Sequence, residues 1–333
     1  MVTDAISLID LLGSITDTPA SPRDGTFRVL PIPGPSRHYV GRNDAGLPCI
    51  LLGSSAGAMH APIRLAAIEA RFGAGCTIKP IDGEPREETL TTVVCTSPDP
   101  QAQTYFVHVC ETIVRILGPS PSLKMVIEVV QRLVELFRRL TKPASRSVIG
   151  LLGELSLIAR SQDAATTVAA WRSSDTNRFD FSAEDVRLDV KASGDRTRAH
   201  HLSAEQCQPP SGTTGLLVSI FIEGSGGGTS LGDLLAQIEH RLGANNALIL
   251  KVQETVAETL GDTLPASMAM RFDDRLAQTS VQIYDLRAVP AIRDGIPPDV
   301  SQVHFRSDLS RTKPLSVADI AELSPIGRAM LPG

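Results

Sequence analysis

The chain has no surplus of positive charge: 32 lysines and arginines stand against 37 acidic residues, a formal net charge of −5. A protein that holds nucleic acid alone would more often be basic, so phosphate contacts would have to come from local patches or a partner. Its five cysteines, Cys49, Cys76, Cys95, Cys110 and Cys207, form no Cys-x-x-Cys pair. That spacing gives neither a zinc pattern nor an even disulfide framework, and a reducing cytoplasm is the expected setting. No His-x-x-x-His spacing exists, and adjacent His200 and His201 are poorly placed to chelate one ion together. No apolar run approaches the roughly 20 residues that span a bilayer. Asp4 and Asp10 stand where a signal peptide would carry Lys or Arg. These absences predict a soluble, cytoplasmic protein away from membranes.

With 333 residues, 42% of them hydrophobic, the chain can bury a real core and exceeds the usual size of one domain. Prolines and glycines crowd residues 19 to 48. Short apolar runs at Thr26 to Ile32, Pro48 to Leu52, Thr91 to Thr96 and Tyr105 to Val109 read as strands between turns. Residues 1–118 are therefore expected to form an N-terminal β-rich module. The period then changes: Leu123, Val126, Ile127, Val130, Leu133, Val134 and Phe137 recur at three and four, which predicts a helix over Ser122 to Leu140. A polar stretch with Pro143 ends it, so residues 119–145 read as helix and linker.

The segment from Gly150 to Gln206 organises the rest. Ser147 is placed to cap a helix with Leu151, Leu152, Leu155 and Ile158 on its apolar stripe. Glu154 falls inside it, and spacing alone would leave it facing solvent. Two strand-like runs, Arg178 to Phe181 and Val186 to Ala192, are separated by a short polar turn and predict a hairpin. Alternation puts Asp189 and Lys191 on one face. A lysine beside a carboxylate suggests a metal site in which Asp180 and Asp189 supply hard oxygen ligands and Lys191 holds a water or stabilises negative charge. Arg178, Arg187, Lys191, Arg196 and Arg198 make this segment more basic than its surroundings. His200 to Cys207 read as helical or turn-like. Gly215 to Ile222, a nearly continuous apolar run, suits a strand buried on both faces.

Residues 146–225 thus predict an α/β core with a mixed sheet, and 226–333 a C-terminal extension of helices and strands. In the extension, Gly224 to Ser230 lacks the lysine of a phosphate loop and reads as a flexible turn. Its last residue, Ser230, caps a helix Leu231 to Leu242 with Asp233 completing a capping box. A further helix is expected over Ala247 to Leu260, with strands at Ser280 to Ala288 and Ser301 to Phe305. Gly53-Ser-Ser-Ala-Gly57 matches a nucleophile elbow, but Pro62 interrupts the helix such an elbow needs.

The central segment resembles the PD-(D/E)XK nuclease superfamily. Within it, the chain is similar to bacterial PD-(D/E)XK-motif proteins encoded beside DNA methyltransferases and ATPases in restriction and phage-defence loci. The resemblance rests on Gly150-Leu-Leu-Gly-Glu-Leu155, Phe179-Asp-Phe181, Leu188-Asp-Val-Lys191, Arg198-Ala-His200 with Ser203 and Gln206, and the late Ile283-Tyr-Asp-Leu with Gly295-Ile-Pro-Pro. The motif departs from the usual Glu-x-Lys in carrying Asp189-Val-Lys191, and no proline precedes Asp180. The resemblance implies a restriction-endonuclease-like core and a metal-dependent DNA endonuclease. It implies catalytic Asp180, Asp189, Lys191 and Glu154, with Mg²⁺ or Mn²⁺ on Asp180, Asp189 and Glu154. It also implies that Arg198, His200, Ser203 and Gln206 form a polar set near the substrate, and that the partners are DNA, a DNA methyltransferase and an ATPase. The opposing expectation is a catalytically inactive assembly or DNA-binding subunit that keeps the fold.

Overall fold

The computed structural model describes residues 7–15, 26–55, 60–79, 84–173 and 178–333. Asp4 of the N-terminal charge argument and Gly57 of the elbow-like motif lie outside them. The chain divides into two compact units, Met1–Ala144 with Gln253–Pro265 and Ser145–Val252 with Ala266–Gly333. The boundary between Ala144 and Ser145 falls in the polar stretch that carries Pro143. Most of residues 226–333 fall in the same unit as residues 146–225.

The first unit opens with α1 (Leu8–Gly13). Six strands follow, β1 (Phe27–Pro31), β2 (His38–Asn43), β3 (Pro48–Gly53), β4 (Ile63–Arg64), β5 (Ile68–Ile78) and β6 (Arg86–Cys95). They form one antiparallel sheet in the order β1-β2-β3-β6-β5-β4. Tyr39, Cys49, Leu51, Leu90 and Val94 pack together from three of its strands. Then come α2 (Pro100–Leu117) and α3 (Leu123–Arg139). The run Tyr105 to Val109, expected as a strand, lies inside α2. Its aromatic and β-branched residues favour strand locally, but Asp99 caps the amide of Gln101 and Pro100 starts the first turn, and these start signals govern the segment. Among the described residues the next element after β3 is the strand β4, not the helix a nucleophile elbow requires.

The second unit begins at Ser145. Its elements are α4 (Val148–Arg160), α5 (Ala164–Ala170), β7 (Phe181–Ala183), β8 (Val186–Ser193), β9 (Ala199–Ser203), β10 (Thr214–Phe221), β11 (Gly224–Ser230), α6 (Leu231–Leu242) and α7 (Asn246–Leu260). After these come α8 (Leu264–Ser267), β12 (Arg271–Phe272), α9 (Asp274–Thr279), β13 (Gln282–Asp285), β14 (His304–Asp308), α10 (Val317–Ala321) and α11 (Pro325–Ala329). The last eight residues of α7 and the first two of α8 are grouped with the first unit. Ser147 caps α4 by accepting from the Gly150 amide, and Ser230 with Asp233 forms a reciprocal capping box on α6.

The central sheet has the order β13-β10-β8-β7, with β8 and β10 parallel and the outer pairs antiparallel, so it is mixed. Two expectations are corrected. His200 begins no helix: Ala199 to Ser203 is a strand paired with β14, and only the residues after it turn. The glycine run 224–230 is an irregular strand paired with β12, because a residue with no side chain lets the backbone of Phe272 approach. A Cβ on Gly228 would stand 1.8 Å from the Phe272 carbonyl oxygen.

The helix α4 covers one face of this sheet at close range. A Cβ on Gly153 would meet Ala192 Cβ at 2.9 Å and the methyl groups of Val190 and Ile220 at 3.3 Å. The opposite face packs Phe179, Leu202, Leu217, Tyr284 and Leu286. In the β8–β10 register Asp189 stands beside Leu217 and Lys191 beside Ser219, on the face away from Gly153. Gly153→Val should therefore force α4 off the sheet and lower the midpoint of denaturant unfolding by about 1–3 kcal/mol equivalent. An unchanged midpoint would show that the helix tolerates a wider separation.

Candidate active site

The strand β7 has only three residues, and its pairing with β8 stops at Phe181 opposite Leu188. Past that point the outer edge of β8 has no strand partner among the described residues. A buried edge amide needs an acceptor. Val190 donates its N–H to Asp180 Oδ2 at 2.9 Å, so the residue just before β7 supplies a side chain where the strand would have supplied a carbonyl. This bond fixes the Asp180 carboxylate at the edge of β8, next to Asp189.

Asp189 is buried, and its Oδ2 stands 2.8 Å from Lys191 Nζ. Its other oxygen accepts from Gln206 Nε2 at 3.0 Å. Burial and then Asp180 push the Asp189 carboxyl up, although Lys191 opposes the shift. Burial would lower Lys191, yet Asp189 and Asp180 outweigh it and hold its pKa raised. The two shifts pull against each other: the first favours a proton on Asp189, the second a charged carboxylate beside the ammonium. The 2.8 Å contact decides for the ion pair, since a neutral Asp189 would leave a buried ammonium without its counterion.

Glu154 does not face solvent. Only 3% exposed, it points from α4 toward this edge and accepts from Trp171 Nε1 at 2.6 Å and from Arg172 Nη2 at 3.0 Å. Arg146, one residue before the Ser147 cap, places Nη1 2.9 Å from Asp180 Oδ1 and 3.5 Å from Glu154 Oε1. Burial, followed by the charge of Asp180, raises the Glu154 pKa to about 7 against the pull of Arg172, Trp171 and Arg146. Three carboxylates thus converge with three cations, Arg146, Arg172 and Lys191, around one strand edge.

The remaining residues singled out by sequence are engaged internally. Gln206 donates to Asp189 and to the Arg178 carbonyl, while its carbonyl oxygen accepts from the Ser203 amide and Ser203 Oγ accepts from the Gln206 amide. Arg198 binds the Ser219 hydroxyl and carbonyl and the Ser280 carbonyl, and stacks on Phe221 at 4.4 Å. His200 is buried against Ser219 Oγ at 2.8 Å. Burial first, then Lys191 and Arg198, lowers its pKa to about 4, so it is neutral at pH 7. Arg146, Trp171 and Arg172 were not anticipated. One signal was available: a chain with one tryptophan that buries it must find an acceptor for the indole N–H.

Residues 17–310 match the family model described as "Putative PD-(D/E)XK family member, (DUF4420)". The chain belongs to this PD-(D/E)XK family. The α+β unit with its mixed sheet is its restriction-endonuclease-like core, and the membership suggests a nuclease-type function. Comparison of the chain with curated proteins and with solved structures returned no match. Members of the superfamily generally use divalent metals. The donor chemistry of this PD-(D/E)XK chain fits such an ion. Three carboxylates supply hard oxygens, and Asp189 Oδ2 takes no well-aligned hydrogen bond from any described residue. As the side chains stand, no three His, Cys, Asp or Glu among the described residues are disposed to hold one metal. Arg146 occupies the space between two of the carboxylates.

The five cysteines are free. No helix among the described residues is long and apolar enough to cross a membrane.

The raised Glu154 fixes a direction for stability against pH. Its folded pKa of about 7 lies above the ordinary 4.5, so the stabilising neutral form is fully present below 4.5 and is lost as pH rises through about 7. Thermal unfolding in metal-free buffer should show stability falling between pH 5 and pH 8. Glu154→Gln should flatten that slope; an equally steep slope in the variant would assign it to other groups.

Proposed function

We propose that this chain is a metal-dependent DNA endonuclease that hydrolyses phosphodiester bonds in a bacterial restriction-modification or phage-defence system. The observation that carries the reading is the convergence of Glu154, Asp180, Asp189 and Lys191 at the open edge of β8. Asp180, Asp189 and Glu154 would hold Mg²⁺ or Mn²⁺, and such an ion would polarise a phosphate oxygen and lower the pKa of a bound water. Lys191 orients that water or meets the charge that develops on the phosphate. Gln206 acts behind Asp189, fixing the carboxylate by one hydrogen bond while Ser203 fixes the glutamine.

The path of the substrate follows the walls nearby. A cavity of about 530 Å³ is lined by Lys191, Ser193, Asp195, His200 and His201. A second, of about 830 Å³, adds Arg196, Arg198, Phe221 and Arg306, and the two share Thr197 and Ala199. We assign the phosphate backbone of the DNA to this groove. With a net charge of −5, the chain would hold duplex DNA weakly by itself. A DNA methyltransferase that marks self DNA and an ATPase that loads the target are the proposed partners, and the cytoplasm the proposed site of action.

A second reading has its own support. Each of the three carboxylates already has a cationic partner in Arg146, Arg172 or Lys191, and that pairing suits a catalytically inactive assembly or DNA-binding subunit.

Cleavage separates the two readings. The purified chain, alone and with its neighbouring gene products, should nick or cut plasmid DNA only when Mg²⁺ or Mn²⁺ is supplied. Lys191→Met and Asp180→Asn should each lower the rate by two orders of magnitude or more, about the share of a group acting on the reacting phosphate, with circular dichroism unchanged. Undiminished cutting by both variants would place the chemistry elsewhere, and no cutting under any combination would favour the inactive subunit. Alone, the chain should shift duplex DNA with a shallow salt dependence, because few phosphates are neutralised and each contributes a slope of about −0.9. Tight, steeply salt-dependent binding by the lone chain would contradict the need for a partner.

A further inference from the structure

Arg146 stands where an ion would have to stand. Its Nη1 lies 2.9 Å from Asp180 Oδ1 and 3.5 Å from Glu154 Oε1. Mg²⁺ binds oxygen at about 2.0–2.1 Å, so an ion bridging these two oxygens and the guanidinium exclude each other. The other two cations are committed differently. Arg172 contacts Glu154 and Lys191 contacts Asp189, whereas the ion pair with Arg146 is the only one Asp180 makes among the described residues.

The side chain is also free to leave. Arg146 belongs to the loop between α3 and α4, its side chain is 40% exposed, and it precedes the Ser147 cap that fixes the start of the helix. Rotating it into solvent breaks no capping bond and no strand pairing. Its long, forked head suits phosphate as well as carboxylate.

We propose that Arg146 holds the cation position between Glu154 and Asp180 until a divalent ion displaces it, after which its guanidinium is available to a substrate phosphate. The inference rests on reading this cluster as a divalent-metal centre. Charge makes the exchange self-limiting. With Arg146 in place, three cations meet three carboxylates. Exchanging it for a divalent ion adds one positive charge to the cluster, which a phosphodiester neutralises. Loading is therefore disfavoured without substrate and favoured with it.

Mn²⁺ binding to the full chain, followed by electron paramagnetic resonance or calorimetry without DNA, tests this directly. Arg146→Gln should bind Mn²⁺ more tightly than wild type by about tenfold or more, the change expected when a partly buried competing charge is removed. Asp180→Asn should lose most of the binding. Equal or weaker binding by Arg146→Gln, with the Asp180→Asn loss retained, would overturn the role of Arg146 and leave the metal centre standing. No Mn²⁺ bound by any of the three at millimolar concentration would overturn both. A measurement on unaltered protein keeps the test independent of how the variant folds: adding Mn²⁺ should accelerate phenylglyoxal modification of Arg146, read by peptide mass spectrometry, several-fold. An unchanged rate would count against displacement.

Discussion

Buried like charges at one strand edge set the terms for the second unit. Glu154, Asp180 and Asp189 are each less than a tenth exposed. An isolated ionised carboxylate in such surroundings costs far more than any single packing contact returns, so the group must be paired, hydrogen-bonded or neutralised. All three remedies are present. Asp189 has its lysine and its glutamine, Asp180 its arginine and a backbone amide, and Glu154 an indole, an arginine and a raised pKa. The fold is arranged so that these partners can arrive: a short β7 that frees an edge amide, a capped α4 that aims Glu154 at the edge, and a loop before it that delivers Arg146.

Much of this was legible in the residues because it depends on local rules. Alternation alone put Asp189 and Lys191 on one face, and Ser147, Ser230 and Asp233 announced their helices through capping chemistry that needs only three or four consecutive residues. What escaped was set by distant neighbours. Glu154 reads as an exposed helix residue until the sheet is placed against Gly153, and Arg146 is one more polar loop residue until α4 brings it over Asp180. The failures over Tyr105 to Val109 and His200 to Cys207 have different origins, the first local and the second distant. In the first, cap signals outweighed β-branched composition; in the second, pairing with β14, a hundred residues later, made a strand of a segment with no strand pattern.

The motif residues divide by what they touch. Lys191 lines the cavity with the buried Asp189 paired behind it, while Gln206 and Ser203 spend their hydrogen bonds on each other, on Asp189 and on the Arg178 carbonyl. Such a pair acts as scaffolding. A half-satisfied buried carboxylate would wander among partners, and the Gln206 amide, itself held at its carbonyl end, removes that freedom. Arg198 and His200 meet at Ser219 on β10, beside Lys191 in register, so they tie β9 to the central sheet at the level of the site.

The single tryptophan gives this centre an optical address. Trp171 is fully buried, donates its indole N–H to Glu154 and lies 5.4 Å from the Arg172 guanidinium. Indole emission is sensitive to a charge at its nitrogen, and no second tryptophan in the chain dilutes the signal. Fluorescence excited where tyrosine no longer absorbs therefore originates beside the glutamate of the cluster, and any event that changes the charge of that carboxylate is written into the spectrum without a label.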